Sequence, residues 1–152
     1  KEVEENFTER IQNEFQLSEE IDANLYSPLT LAFLGDNVYE LVNRTVLVSR
    51  ANAPVNKLNK KTSSLAKAST QARMASLMME ELTPEEKAVF KRGRNAKSYT
   101  MAKNATMHDY RHATGWEALM GYLYLKGEYG RLVFLIHMGL ERIREAEKET
   151  DR

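Results

Sequence analysis

Residues 27 to 48 restrict the fold of this chain more than any other stretch. Ser27-Pro28 has the form of a helix start, a side-chain acceptor for orphan amides followed by a ring already held at helical φ. Leu31, Leu34, Val38 and Leu41 recur at helical spacing, while Phe33, Tyr39, Val42 and Val46 add apolar groups on the flanks. A helix that is apolar nearly all round is expected to lie buried at the centre of a domain. Asp36 stands in its middle, with Phe33 one turn before and Glu40 one turn after. A lone carboxylate there is costly unless a cation or several donors meet it. Two explanations are open at this point: an ion pair with Arg or Lys from another helix, or an acid kept for chemistry.

The rest of the chain also reads as helical. Val3, Phe7, Ile11 and Phe15 recur every four residues among acids, which predicts an amphipathic helix over 2–15 laid against the main body. Beyond Ala51-Asn52-Ala53-Pro54 a helix is expected from Val55 to about Leu82, with a possible break near Ser63 where serines and threonines lower the propensity. Thr83-Pro84-Glu85-Glu86 restarts a helix with a capping-box pattern, and Gly93 is expected to stop it. Arg92 to Ser98 has no hydrophobic period and reads as a loop. Residues 107–125 form another helix through Trp116, Leu119, Met120 and Leu123, with Glu117 flanked one turn each way by Ala113 and Gly121. Small residues there let a second helix backbone come close, the counterpart of Gly35 beside Asp36. A closing helix from about Tyr129 to Glu147 frays into a charged tail. No strand-length alternation or internal repeat is present, so the expected fold class is all-α. The expected organisation is an acidic helical segment over 1–24, a catalytic domain over 25–147 and a tail over 148–152.

Lys plus Arg equals Asp plus Glu at 22 each, so net charge names no partner. The distribution does. Residues 50–79 carry Arg50, Lys57, Lys60, Lys61, Lys67 and Arg73 with no acid, and residues 91–111 carry Lys91, Arg92, Arg94, Lys97, Lys103 and Arg111 against Asp109 alone. Two basic blocks suggest a face turned to a polyanion, and the second suits phosphate contact. Without cysteine there are no disulfides or thiolate metal sites, and no apolar run reaches membrane-spanning length. The expectation is a cytoplasmic protein with no membrane contact.

Two acids inside a closely packed helical interior suit a hard divalent cation such as magnesium, with water and substrate phosphate completing its shell. No phosphate-cradling glycine loop, thiol or serine elbow competes with that reading. His108-Asp109 with His112 one turn on offers a rival, a histidine-dependent metal phosphohydrolase, although further separated histidine ligands are lacking. A non-catalytic dimeric module binding RNA or a partner protein is the alternative from another class.

Leu31-Ala32-Phe33-Leu34-Gly35-Asp36-Asn37-Val38-Tyr39-Glu40 resembles the signature helix of ribonuclease III domains, and Trp116-Glu117-Ala118-Leu119-Met120-Gly121-Tyr122-Leu123 resembles their second acidic motif. Lys91 to Ser98 looks like the loop of the Mini-III ribonucleases, the compact branch without an appended double-stranded-RNA-binding domain. Ordinary ribonuclease III domains carry Glu at the positions of Leu29 and Ala32, Asp at Thr114 and an acid in the region of Gln71 and Ala72, and the Mini-III branch shares the loss in the signature helix and the Thr-containing second motif. The resemblance implies a ribonuclease III-like helical fold. It also implies hydrolysis of double-stranded RNA by magnesium-activated water, with Asp36 and Glu117 as metal ligands and catalytic acids. A homodimer paired through Leu29 and Phe33 is implied as well, together with a ribosomal RNA precursor (23S) as substrate. The RNA-binding residues expected from the basic blocks are Lys60, Lys61, Lys67, Arg92, Arg94, Asn95, Lys97, Ser98 and Arg111.

Overall fold

The computed structural model describes residues 4–17, 22–97 and 106–151. Among these the chain forms helices and no strand: α1 (Phe7–Glu14), α2 (Pro28–Arg50), α3 (Val55–Ala66), α4 (Ala68–Met78), α5 (Pro84–Asn95), α6 (Met107–Leu125) and α7 (Tyr129–Thr150). The fold is all-α. Its hub is α6, which packs on α2, α4, α5 and α7, and every residue from Ala113 to Leu123 except Glu117 is buried. Trp116, Leu119, Met120 and Leu123 meet Leu31, Val38 and Tyr39 from α2, Met74 and Met78 from α4, Phe90 from α5 and Leu135 and Ile136 from α7 in one core.

The central place therefore belongs to α6 rather than to α2. Only one side of α2 is covered, by Leu31, Ala32, Gly35, Val38, Tyr39 and Asn43, and Phe33, Leu41 and Val48 face solvent. An apolar sequence stripe cannot tell which of its sides will find a neighbour.

The α2–α6 crossing depends on glycine. A Cβ placed on Gly35 would fall 1.7 Å from the Glu117 carbonyl oxygen, and one on Gly121 would fall 2.1 Å from that of Leu31. The two backbones are in contact, with no room for a side chain between them.

Several boundaries differ from expectation for identifiable reasons. The break after α3 falls at Lys67 (φ −57°, ψ 142°), not near Ser63. The last carbonyls of α3 are taken by side chains instead of by further helix: Thr70 Oγ1 donates to Ser64 O at 2.8 Å, the Tyr39 hydroxyl to Leu65 O at 2.9 Å and Gln71 Nε2 to Ala66 O at 3.0 Å. Gly93 does not stop α5, which continues to Asn95. Its missing side chain serves packing, since a Cβ there would lie 2.9 Å from Gly115 Cα and from Ala118 Cβ. Arg92, Arg94 and Asn95 are thus helical, and the expected loop shrinks to Ala96 and Lys97 among the described residues. The Thr83–Glu86 capping box forms as read, whereas Ser27 makes no side-chain cap and leaves Pro28 to set the start of α2.

The first helix also differs. It docks through Thr8, whose backbone N–H donates to the Tyr129 hydroxyl at 2.9 Å and whose own hydroxyl donates to Tyr124 O at 3.1 Å. Its apolar stripe points outward, with Phe7 62% and Phe15 72% exposed. A polar residue anchors the helix because the adjoining surface offers a phenol and a helix-end carbonyl.

Replacing Gly35 with Ala must separate α2 from α6, because backbone atoms cannot yield as a flexible side chain can. We expect a loss above about 3 kcal/mol, beyond the usual range for overpacking. Chemical denaturation measures it, and a variant as stable as the parent would contradict the close crossing.

Candidate active site

The α2–α6 contact sets two acids side by side. Asp36 follows Gly35 directly, and the Glu117 carbonyl is the atom that Gly35 would strike if it had a side chain. Their carboxyl groups lie within hydrogen-bonding reach of each other. Asp36 is exposed and Glu117 is largely covered. The desolvation expected for Asp36 thus falls on Glu117, because Asp36 sits at the edge of the crossing and Glu117 beneath it. Burial, followed by the neighbouring Asp36 carboxyl, pushes the Glu117 carboxyl up to about 8. The Glu40 charge adds to this rise and the Gln71 amide opposes it.

Glu40 and Gln71 also bear on the site, and sequence reasoning assigned a role to neither. Glu40 stands one turn beyond Asp36 and is held by Arg44 at 3.4 Å. Gln71 is buried on α4, and its Nε2 lies 3.5 Å from Glu117 Oε2. A signal for it exists: Gln71 shares a helix face with Ala75 and Met78, and an amide in a buried stripe needs partners. Its Oε1 is buried with no protein partner, an arrangement that costs about 1–3 kcal/mol where nothing else compensates.

Among the described residues no group of three or more His, Asp and Glu side chains is placed to hold a metal. His108 and His112 stack on each other with ring centroids 3.9 Å apart, and Asp109 lies 3.4 Å from His108 Nδ1. They do not form the ligand cluster that a histidine-metal phosphohydrolase requires. The donors that do converge are the two carboxylates of Asp36 and Glu117. Such hard oxygen donors fit a small divalent cation that keeps several of its waters.

The cations expected to bind RNA separate into groups. Lys60 and Lys61 are exposed on α3, and Lys67 is exposed at the α3–α4 break, one turn before Gln71. Arg94, Asn95 and Arg111 line one concavity of about 440 Å³ together with Met107, His108 and His112. Arg92 reaches the Asn24 carbonyl at 3.3 Å, Lys97 is exposed, and Ser98 lies outside the described residues. Phe33 (79% exposed) and Leu29 (37%) stand one turn apart on α2 and open to solvent, and Leu25 (77%), which sequence reasoning had not singled out, is exposed in the short turn before α2. A cleft of about 560 Å³ opens elsewhere, between α2, α3 and α7, and none of Asp36, Glu40 and Glu117 lines it.

The family model of the ribonuclease III domain matches residues 29–128, which include both acids and the glycine crossing. The chain belongs to the ribonuclease III family. It is 47% identical over 119 residues to the mini-ribonuclease 3 of Thermoanaerobacter sp., covering 78% of this chain and 84% of that protein. It is 44% identical over 128 residues to that of Clostridium tetani (84% and 85%) and 41% over 125 residues to that of Streptococcus pneumoniae (81% and 98%). An X-ray structure of a Fusobacterium nucleatum protein superposes with a TM-score of 0.71 at 29% identity, over 80% of this chain and 98% of that one. Within the family the chain falls in the mini-ribonuclease 3 branch, and it is an endoribonuclease.

The raised Glu117 carboxyl makes a pH prediction. Between the ordinary value of 4.5 and about 8 the folded protein holds a proton that the unfolded chain has released. Metal-free stability therefore falls as pH rises through that window and levels off above it. Glu117→Gln removes this dependence, so its melting temperature relative to the parent should increase from pH 5 to pH 8. A constant difference across that range would contradict the assignment.

Proposed function

We propose that the protein is a magnesium-dependent endoribonuclease that cuts double-stranded RNA as a homodimer in the cytoplasm, acting on a ribosomal RNA precursor (23S). The observation that carries this reading is the meeting of Asp36 and Glu117 at the α2–α6 crossing, one acid open to solvent and its neighbour covered. Those two side chains would hold the cation. When bound, it supplies an activated water and stabilises the oxygen that leaves as the phosphodiester breaks. Asp36, being exposed, is the side from which a phosphate can approach, and Glu117 is held in place by the packing of α6.

A duplex substrate suits the shape of the site. A-form RNA hides its base edges and presents phosphates and 2′-hydroxyls over a broad surface, so an acid pair with one member open to solvent serves better than a deep pocket. Lys60, Lys61, Lys67, Arg92, Arg94, Asn95, Lys97, Ser98 and Arg111 would contact phosphates. Leu25, Leu29 and Phe33 supply exposed apolar side chains for two-fold pairing, which would place one acid pair on each strand.

The test uses long duplex RNA with and without magnesium. Asp36→Asn and Glu117→Gln are each expected to lower cleavage about a hundred- to a thousand-fold, the loss seen when one group that stabilises transition-state charge is removed, with RNA binding retained. Undiminished cleavage by both variants would overturn the proposal. Removing charge at Lys60, Lys61 and Lys67 should weaken binding and lessen its salt dependence by about one unit of slope for each phosphate no longer neutralised. Phe33→Asp should shift the molecule from dimer to monomer in sedimentation, and an unchanged mass would move the interface elsewhere.

A further inference from the structure

We propose that Gln71 is a positioning residue for the active site, holding the Glu117 carboxylate in the orientation that faces Asp36 and tying it to the end of α3. This rests on the Asp36–Glu117 pair being the metal site. Gln71 is only 2% exposed and sits at the start of α4, where its backbone N–H donates to Lys67 O at 3.1 Å. Its side-chain amide spans two elements. Nε2 lies 3.0 Å from Ala66 O, the last residue of α3, and 3.5 Å from Glu117 Oε2 on α6. Apart from the Asp36 carboxyl, no other side chain among the described residues hydrogen-bonds to Glu117.

A carboxylate with two rotatable bonds beyond its Cβ does not choose one orientation by itself. Groups outside the ligand sphere set the direction of first-sphere ligands, and their loss commonly weakens metal affinity or activity by about 10–100-fold. Gln71 is placed to do this for Glu117. Tyr39 supplies a natural comparison, because its hydroxyl anchors the same end of α3 through Leu65 O at 2.9 Å without donating to Glu117. The amide therefore has two separable duties: closing the α3 terminus, which Tyr39 shares, and orienting Glu117, which it does not.

Manganese binding to the full chain, followed by electron paramagnetic resonance, reads the second duty without relying on turnover. Gln71→Leu keeps much of the side-chain volume and removes the donor together with the orphaned Oε1. It is expected to weaken manganese affinity about ten-fold or more and to lower kcat, with KM for duplex RNA unchanged. Tyr39→Phe is expected to lower the melting temperature while keeping the parental manganese affinity. Gln71→Met, unbranched and adaptable, serves as a second apolar replacement with the same expectation.

Parental manganese affinity in a folded Gln71→Leu or Gln71→Met would overturn the assignment, as would equal weakening in Tyr39→Phe. Loss of folding in both Gln71 variants would assign the amide to the fold and overturn it too. Absence of manganese binding by the parent, or unaltered binding by Asp36→Asn, would remove the metal-site reading itself. That outcome is distinct from failure of Gln71 alone.

Discussion

Contact between two helix backbones underlies the whole arrangement. Gly35 and Gly121 leave no side chain between α2 and α6, so the Glu117 and Leu31 carbonyls come to lie where a Cβ would otherwise stand. At ordinary interhelical distances of about 8–10 Å two short acidic side chains on facing helices need not meet. Here the close approach brings Asp36 and Glu117 together. The surrounding core of Trp116, Leu119, Leu31 and Tyr39 holds the crossing shut, since those side chains are almost fully enclosed.

The electrostatic character of the pair follows from unequal burial. Asp36 reaches solvent from the rim while Glu117 lies under α2, and burial plus the neighbouring acid make ionisation of Glu117 unfavourable. On the proposed reading Glu117 is a metal ligand whose surroundings resist its charging, and a divalent cation would offset that resistance. The adjoining scaffold is tied by side chains that donate to the last carbonyls of α3. Burial pushes the Tyr39 phenol up to about 12, so it remains an O–H donor, and with Gln71 it secures the carbonyls at the end of α3. That junction carries Lys67, one turn from the residue that touches Glu117, so a surface cation and the covered acid share one piece of framework.

Local pattern made much of the architecture readable. The bounds of α6, the capping box of α5 and the all-helical class follow from periodicity and from groups within one helical turn of each other. That Asp36 and Glu117 each stand in an apolar helix with a glycine within one turn was also legible. Other features were hidden for a common reason. Gly93 reads as a helix stop but is a packing contact with α6, and the α3 terminus is set by Thr70, Tyr39 and Gln71 rather than by weak propensity near Ser63.

The amino-acid sequence by itself determined that this chain is helical, where most of its helices lie, and which two acids stand out on apolar surfaces. Those properties depend on interactions over three or four residues, which the order of side chains encodes directly. Tertiary structure alone decided that α6 and not α2 is enclosed, that Glu117 and not Asp36 is covered, and that α1 turns its phenylalanines outward. Each of these depends on which face finds a neighbour distant in the chain, and a stripe of apolar residues looks the same whether or not that neighbour arrives.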